Sequence, residues 1–85
     1  MRIVFTNEAF TQYNQWIREK DRTALDKIDA LLESIAESPF TGIGKPEPLK
    51  HEFSGTWSRR INKKDRLRYM VTDNQIIILS CRDHY

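Results

Sequence analysis

The amino-acid sequence predicts an α+β domain in which a helical hairpin packs on one face of a small antiparallel β-sheet. Three observations predict it: a short apolar segment near the N-terminus, two successive stretches with helical spacing of apolar residues, and then three alternating segments bounded by turn residues. A chain of 85 residues is one domain, residues 1–85, with room for a single layer of helix on a single sheet.

Ile3, Val4 and Phe5 form the first strand, which runs into Thr6, a good helix N-cap. Phe5 and Phe10 take the two positions of a hydrophobic staple around that cap. Phe10, Tyr13, Trp16 and Ile17 share one helical face and are expected in the core, with the helix ending near Lys20. A second helix over 21–37 carries Leu25, Ile28, Leu31, Leu32 and Ile35 on one stripe, and Pro39 stops it. The segment that follows contains Gly42, Gly44, Pro46 and Pro48, which rules out helix and central strand and predicts a rigid, exposed connector. Strands are expected over 57–61, 66–72 and 75–82, with Asp73-Asn74 as a hairpin turn.

Charge is unevenly distributed. Residues 1–38 carry five Lys or Arg against seven acids, and the remainder nine against five, so a net charge of +2 conceals a basic second half able to hold a polyanion. The single cysteine supplies no disulfide framework and suggests a reducing compartment, with cytoplasm as the default. With only two histidines besides, at unrelated spacing, neither a metal site nor any other cofactor is expected. No apolar run approaches the roughly 18 residues that span a bilayer, and no signal-peptide pattern opens the chain, so no membrane association is expected.

Strand alternation sorts the basic residues. If Trp57, Ile61, Leu67, Tyr69 and Val71 face the core, Arg60, Arg66 and Arg68 project from the other face, where three guanidinium groups repel one another unless an anion sits among them. Glu47, held between Pro46 and Pro48 and flanked by Lys45 and Lys50, is an aimed carboxylate suited to general-base work. His84, between Asp83 and the carboxylate of Tyr85, is expected to hold its proton more firmly than a free imidazole and so to serve as a proton donor. It joins the arginine face if Ile77, Leu79 and Cys81 point inward. A plain two-residue turn gives the opposite register, so a bulge, a longer turn or an early end to the last strand is required. His51 reads as a contact or structural residue, and the parity of Trp57 leaves core, subunit-contact and base-stacking roles open.

Four ordered blocks, Gly42-x-Gly44-Lys45-Pro46-Glu47-Pro48-Leu49-Lys50-His51, Ser54-Gly55-x-Trp57-Ser58-Arg59-Arg60-Ile61, Arg66-Leu67-x-Tyr69 and Cys81-Arg82-x-His84-Tyr85, resemble the YoeB (Txe/YoeB) toxins of the RelE superfamily. The resemblance implies the toxin of a type II toxin-antitoxin pair, acting as a metal-independent, ribosome-dependent messenger RNA endoribonuclease. It further implies catalytic roles for Glu47 as base, Arg66 as transition-state cation and His84 as acid. Lys50, Arg60, Tyr85, His51 and Arg59 become RNA-contacting residues on the same basis. Implied partners are a YefM-like antitoxin whose disordered tail covers the basic face, a second copy of the chain, and promoter DNA bound only by the toxin-antitoxin complex. Arg68, where an apolar residue is expected, and Asp83, beside the proposed acid, depart from the pattern. The rival expectation is a non-catalytic ParE-like toxin that poisons DNA gyrase by binding, since fold alone does not choose between them.

Overall fold

The computed structural model of the chain describes residues 1–83, so the expectations for His84 and Tyr85 lie outside the described residues. The elements run β1 (Arg2–Phe5), α1 (Asn7–Arg18), α2 (Arg22–Glu37), β2 (Glu47–Pro48), a single 3₁₀ turn (His51–Phe53), β3 (Trp57–Arg60), β4 (Arg66–Val71) and β5 (Gln75–Asp83). They form a five-stranded sheet in the order β1-β5-β4-β3-β2. From β2 to β5 the sheet is antiparallel; β1 joins its far edge parallel to β5.

Both helices begin where a side-chain oxygen can take up a free amide. Thr6 Oγ1 accepts from Ala9 N at 3.1 Å and donates to Leu79 O at 3.2 Å, so the cap also ties α1 to β5. Asp21 Oδ1 accepts from Ala24 N at 3.0 Å to start α2, after a reversal in which Lys20 takes a left-handed conformation (φ 56°). Ile28, Leu31 and Ile35 of α2 are fully buried against Leu67, Tyr69, Ile76, Ile78 and Cys81 of the sheet.

The inward face of α1 differs from the expected one. Ala9 and Trp16 are buried, whereas Phe10 is 59% exposed and Ile17 48% exposed. Phe5 packs edge-on against Tyr13, with ring centroids 5.9 Å apart. The reason lies in β5. Near the Asp73-Asn74 turn it follows the plain two-residue register, Val71 opposite Ile76 and Tyr69 opposite Ile78, so Ile76 and Ile78 point inward. The register then slips between Tyr69 and Arg68 and again between Arg68 and Arg66, leaving Ser80 and Cys81 both fully buried and Asp83 opposite Arg66. Of the inward set Ile77, Leu79 and Cys81, only Cys81 is realised. Helix α1 serves this irregular stretch: Gln12 Oε1 accepts from Cys81 N at 2.6 Å, Trp16 Nε1 donates to Cys81 O at 2.9 Å, and the Cys81 thiol donates to Ala9 O at 3.5 Å. A small residue at position 9 and a polar one at position 12 are what this contact needs, which turns Phe10 and Ile17 outward.

Candidate active site

The connector between α2 and β3 is not only a loop. Glu47 and Pro48 form an edge strand, with Glu47 opposite Ser58 and Pro48 opposite Trp57, and Leu49 N donates to Thr56 O at 3.0 Å. Partners in register share a face, so a row Glu47-Ser58-Arg68-Ser80 crosses the sheet on the side away from the helices. A second row, Arg60-Arg66-Asp83, lies two residues along β3 and β4, about 7 Å away, and three along β5 because of the register slip. Two carboxylates, Glu47 and Asp83, and three guanidinium-bearing residues therefore occupy one face, as strand alternation predicts for Arg60, Arg66 and Arg68.

Arg66 is held through Nη1, which donates to Asn62 O at 2.9 Å, Asp65 O at 3.2 Å and Lys63 O at 3.3 Å, all carbonyls of the β3–β4 turn, so these neutral acceptors orient the group. The Arg68 guanidinium lies over the Phe53 ring, 4.6 Å from its centroid, which brings the 3₁₀ turn onto the row that starts at Glu47. Lys50 and His51 are exposed on that turn, His51 in a left-handed conformation (φ 57°). Arg60 is exposed at the end of β3.

Arg59 is a correction. Expected to contact RNA, it is fully buried on the helix side of the sheet. Its Nε donates to Tyr69 Oη at 3.1 Å, Nη1 to Ser34 Oγ at 2.8 Å and Ile43 O at 3.1 Å, and Nη2 to Ser38 O at 2.8 Å and Thr41 O at 2.9 Å. A guanidinium has five N–H donors, and all five are used within the fold. The signal was present in the alternation, since Arg59 shares its parity with Trp57 and Ile61. Trp57 is half-buried and packs against Phe40, ring centroids 4.9 Å apart, beside the core.

Other groups are held out of the chemistry. Burial pushes the Cys81 thiol up to about 12, and burial also raises Tyr69, partly offset by its hydrogen bond from Arg59. Among the described residues no group of three His, Cys, Asp or Glu side chains could hold a metal ion. Among the same residues no helix is long and apolar enough to cross a membrane.

Residues 5–85 match the family model described as the YoeB-like toxin of bacterial type II toxin-antitoxin systems. Toxin YoeB of Synechocystis sp. is 48% identical over all of this chain and 98% of that protein, and Toxin YoeB of Escherichia coli K12 is 45% identical over the whole of both. The YoeB/ParE toxin from Agrobacterium tumefaciens superposes with a TM-score of 0.94 at 38% identity, covering both chains fully. A YoeB dimer from Staphylococcus aureus superposes at 0.90 and 44% identity, and a heterotetrameric YoeB-YefM complex from the same organism at 0.88 and 44%, each over all of this chain and 98% of the other.

Proposed function

This chain belongs to the YoeB-like toxins of type II toxin-antitoxin systems, and we propose that it is a metal-independent endoribonuclease that cleaves messenger RNA on the ribosome. The observation that carries the reading is the sharing of one sheet face, away from the helices, by Glu47, Arg60, Arg66 and Arg68. Glu47 takes the proton from a ribose 2′-hydroxyl, whose oxygen attacks the adjacent phosphorus. As the bond from phosphorus to the 5′-oxygen breaks, His84 gives that oxygen a proton, leaving a 2′,3′-cyclic phosphate and a 5′-hydroxyl. DNA lacks the nucleophile and is not a substrate.

Arg66, oriented by the turn carbonyls, meets the extra negative charge that develops on the phosphoryl oxygens. Arg60 and Lys50 hold the flanking phosphates, His51 adds a contact from the same turn, and Tyr85 places the scissile nucleotide. The cell compartment is the cytoplasm, and the partners are a second copy of the chain and a YefM-like antitoxin that covers the basic face. With that antitoxin the protein binds its promoter.

Primer extension on a message translated in vitro with added protein tests the reading. Wild type is expected to give ribosome-dependent stops, while Glu47→Gln and His84→Gln each lower the cleavage rate by about 10²- to 10⁴-fold and Arg66→Ala by about 10²- to 10³-fold. Full growth arrest by a folded Glu47→Gln/His84→Gln double variant would favour a ParE-like gyrase poison.

A further inference from the structure

The nuclease reading assigns a role to the face bearing Glu47 but leaves open what aims that carboxylate. The strand that carries it is two residues long, and both are exposed. So short an edge strand fixes little by itself. On the opposite side of the sheet, directly behind it, the segment joining α2 to β2 is wound round the Arg59 guanidinium. We infer that Arg59 is a positioning residue for Glu47, resting on the nuclease reading above.

The carbonyls of Ser38, Thr41 and Ile43 all accept from Arg59, and Tyr69 Oη, which accepts from Arg59 Nε, donates to Pro39 O at 2.6 Å. Ser34 Oγ links α2 to the same hub, accepting from Arg59 Nη1 and from Ile43 N at 3.3 Å. Four carbonyls of one segment thus converge on a pair of side chains from adjacent strands. The backbone passes so close that a Cβ has no room: at Gly44 (φ 80°) it would come within 2.5 Å of Leu31 Cδ2 and 3.2 Å of Arg59 Cβ, and at Gly42 (φ 121°) it would collide with Ser34 Oγ.

From this hub the constraint passes along the chain to Glu47. Gly44 O accepts from Arg60 N at 2.7 Å, fixing the height of the segment against β3 three residues before the carboxylate; Glu47 then pairs with Ser58, and Leu49 with Thr56. Burying a guanidinium among neutral acceptors gains no ion pair and is costly to desolvate. What the arginine supplies instead is direction: five donors in a rigid plane that admit one path for the loop.

The test measures cleavage kinetics of Arg59→Lys and Tyr69→Phe on translating ribosomes, each with Glu47 and with Gln at position 47, together with amide hydrogen exchange. With Glu47 present, kcat is expected to fall about 10- to 100-fold with KM changed less than about twofold, because a small misplacement of a catalytic group is that costly. In the Glu47→Gln background neither change lowers the residual rate further. The Arg60 and Leu49 amides exchange faster in both variants while the interior of α1 keeps its protection. Tyr69→Phe retains ring and guanidinium, so it reports even where Arg59→Lys folds poorly. Full kcat in the folded variants, unchanged exchange at Leu49, or equal losses in the two backgrounds each overturn the inference while an active wild type leaves the nuclease reading standing. A wild type that cleaves nothing overturns both.

Discussion

Arg59 and Arg82 each fasten a segment next to a candidate catalytic group, one by burial and the other at the surface. Arg59 is fully buried, and all its partners are neutral hydroxyls and carbonyls. Arg82, one residue from the end of β5, lies over the Trp16 ring at 4.2 Å and makes two bonds of 2.8 Å to the Glu19 carboxylate, with over a quarter of its side chain in solvent. The buried arginine has paid its desolvation cost and so depends on every donor being satisfied; the exposed one keeps its water and gains little from its partner. The comparison teaches that hydrogen-bond saturation, rather than an opposite charge, is what makes a charged residue a structural anchor here.

The largest expected effect separates the two directly. Arg59→Met leaves five acceptors facing an apolar chain, and urea denaturation should show a loss of about 3–5 kcal/mol. With no carboxylate in the hub, that loss should hold from pH 5 to 8. Equal stability of the two proteins would mean that the loop closes without the guanidinium.

Next comes Trp16→Phe, which keeps an aromatic platform under Arg82 but removes the indole donor to Cys81 O. A loss of about 1–3 kcal/mol is expected for a buried carbonyl left unsatisfied. A smaller change would assign the junction to the exposed ion pair after all.

Cys81 gives the same end of the sheet an alkaline pH dependence. Its pKa in the fold, about 12 against an ordinary 9.0, is raised because burial disfavours the thiolate. The unfolded chain therefore gives up the proton first, so the contribution is complete below pH 9 and is lost as pH rises towards 12. At pH 10 this loss is on the order of 1 kcal/mol, and Cys81→Ala should flatten the alkaline limb of a stability profile. Ready alkylation of the native thiol at pH 8 would contradict the burial argument.

Glu19→Gln should have the smallest effect. The hydrogen bond from Arg82 holds the Glu19 carboxyl below its ordinary 4.5. A depressed value stabilises the fold above that pH and the benefit disappears as pH falls through the lowered value, so wild type and variant should converge in acid. They should also converge in about 0.5 M salt, where exposed charges are screened. A gap that survives both conditions would show the Arg82 pair to be as structural as Arg59.

Much of the fold was legible because local chemistry and periodicity agree. Thr6 and Asp21 announce their helices, the stripe of α2 has one reading, and Asp73-Asn74 makes the turn expected of it. The α1 stripe misled because helical spacing ranks Phe10 and Ile17 by hydropathy, whereas the position of the face was set by a distant strand whose freed amide needed Gln12. The edge strand at Glu47 escaped notice because prolines on both sides read as a breaker. At an edge, a residue whose N–H faces no partner tolerates proline.

By itself, the sequence determined the α+β class, the family, and the gathering of Arg60, Arg66 and Arg68 on one face, because strand alternation and block spacing are properties of neighbours along the chain. Only the tertiary structure decided that β1 lies parallel to β5 and that two register slips bring Asp83 opposite Arg66. Those outcomes depend on which backbone groups remain unpaired once distant strands meet, and that is settled by hydrogen-bond partners far apart in sequence.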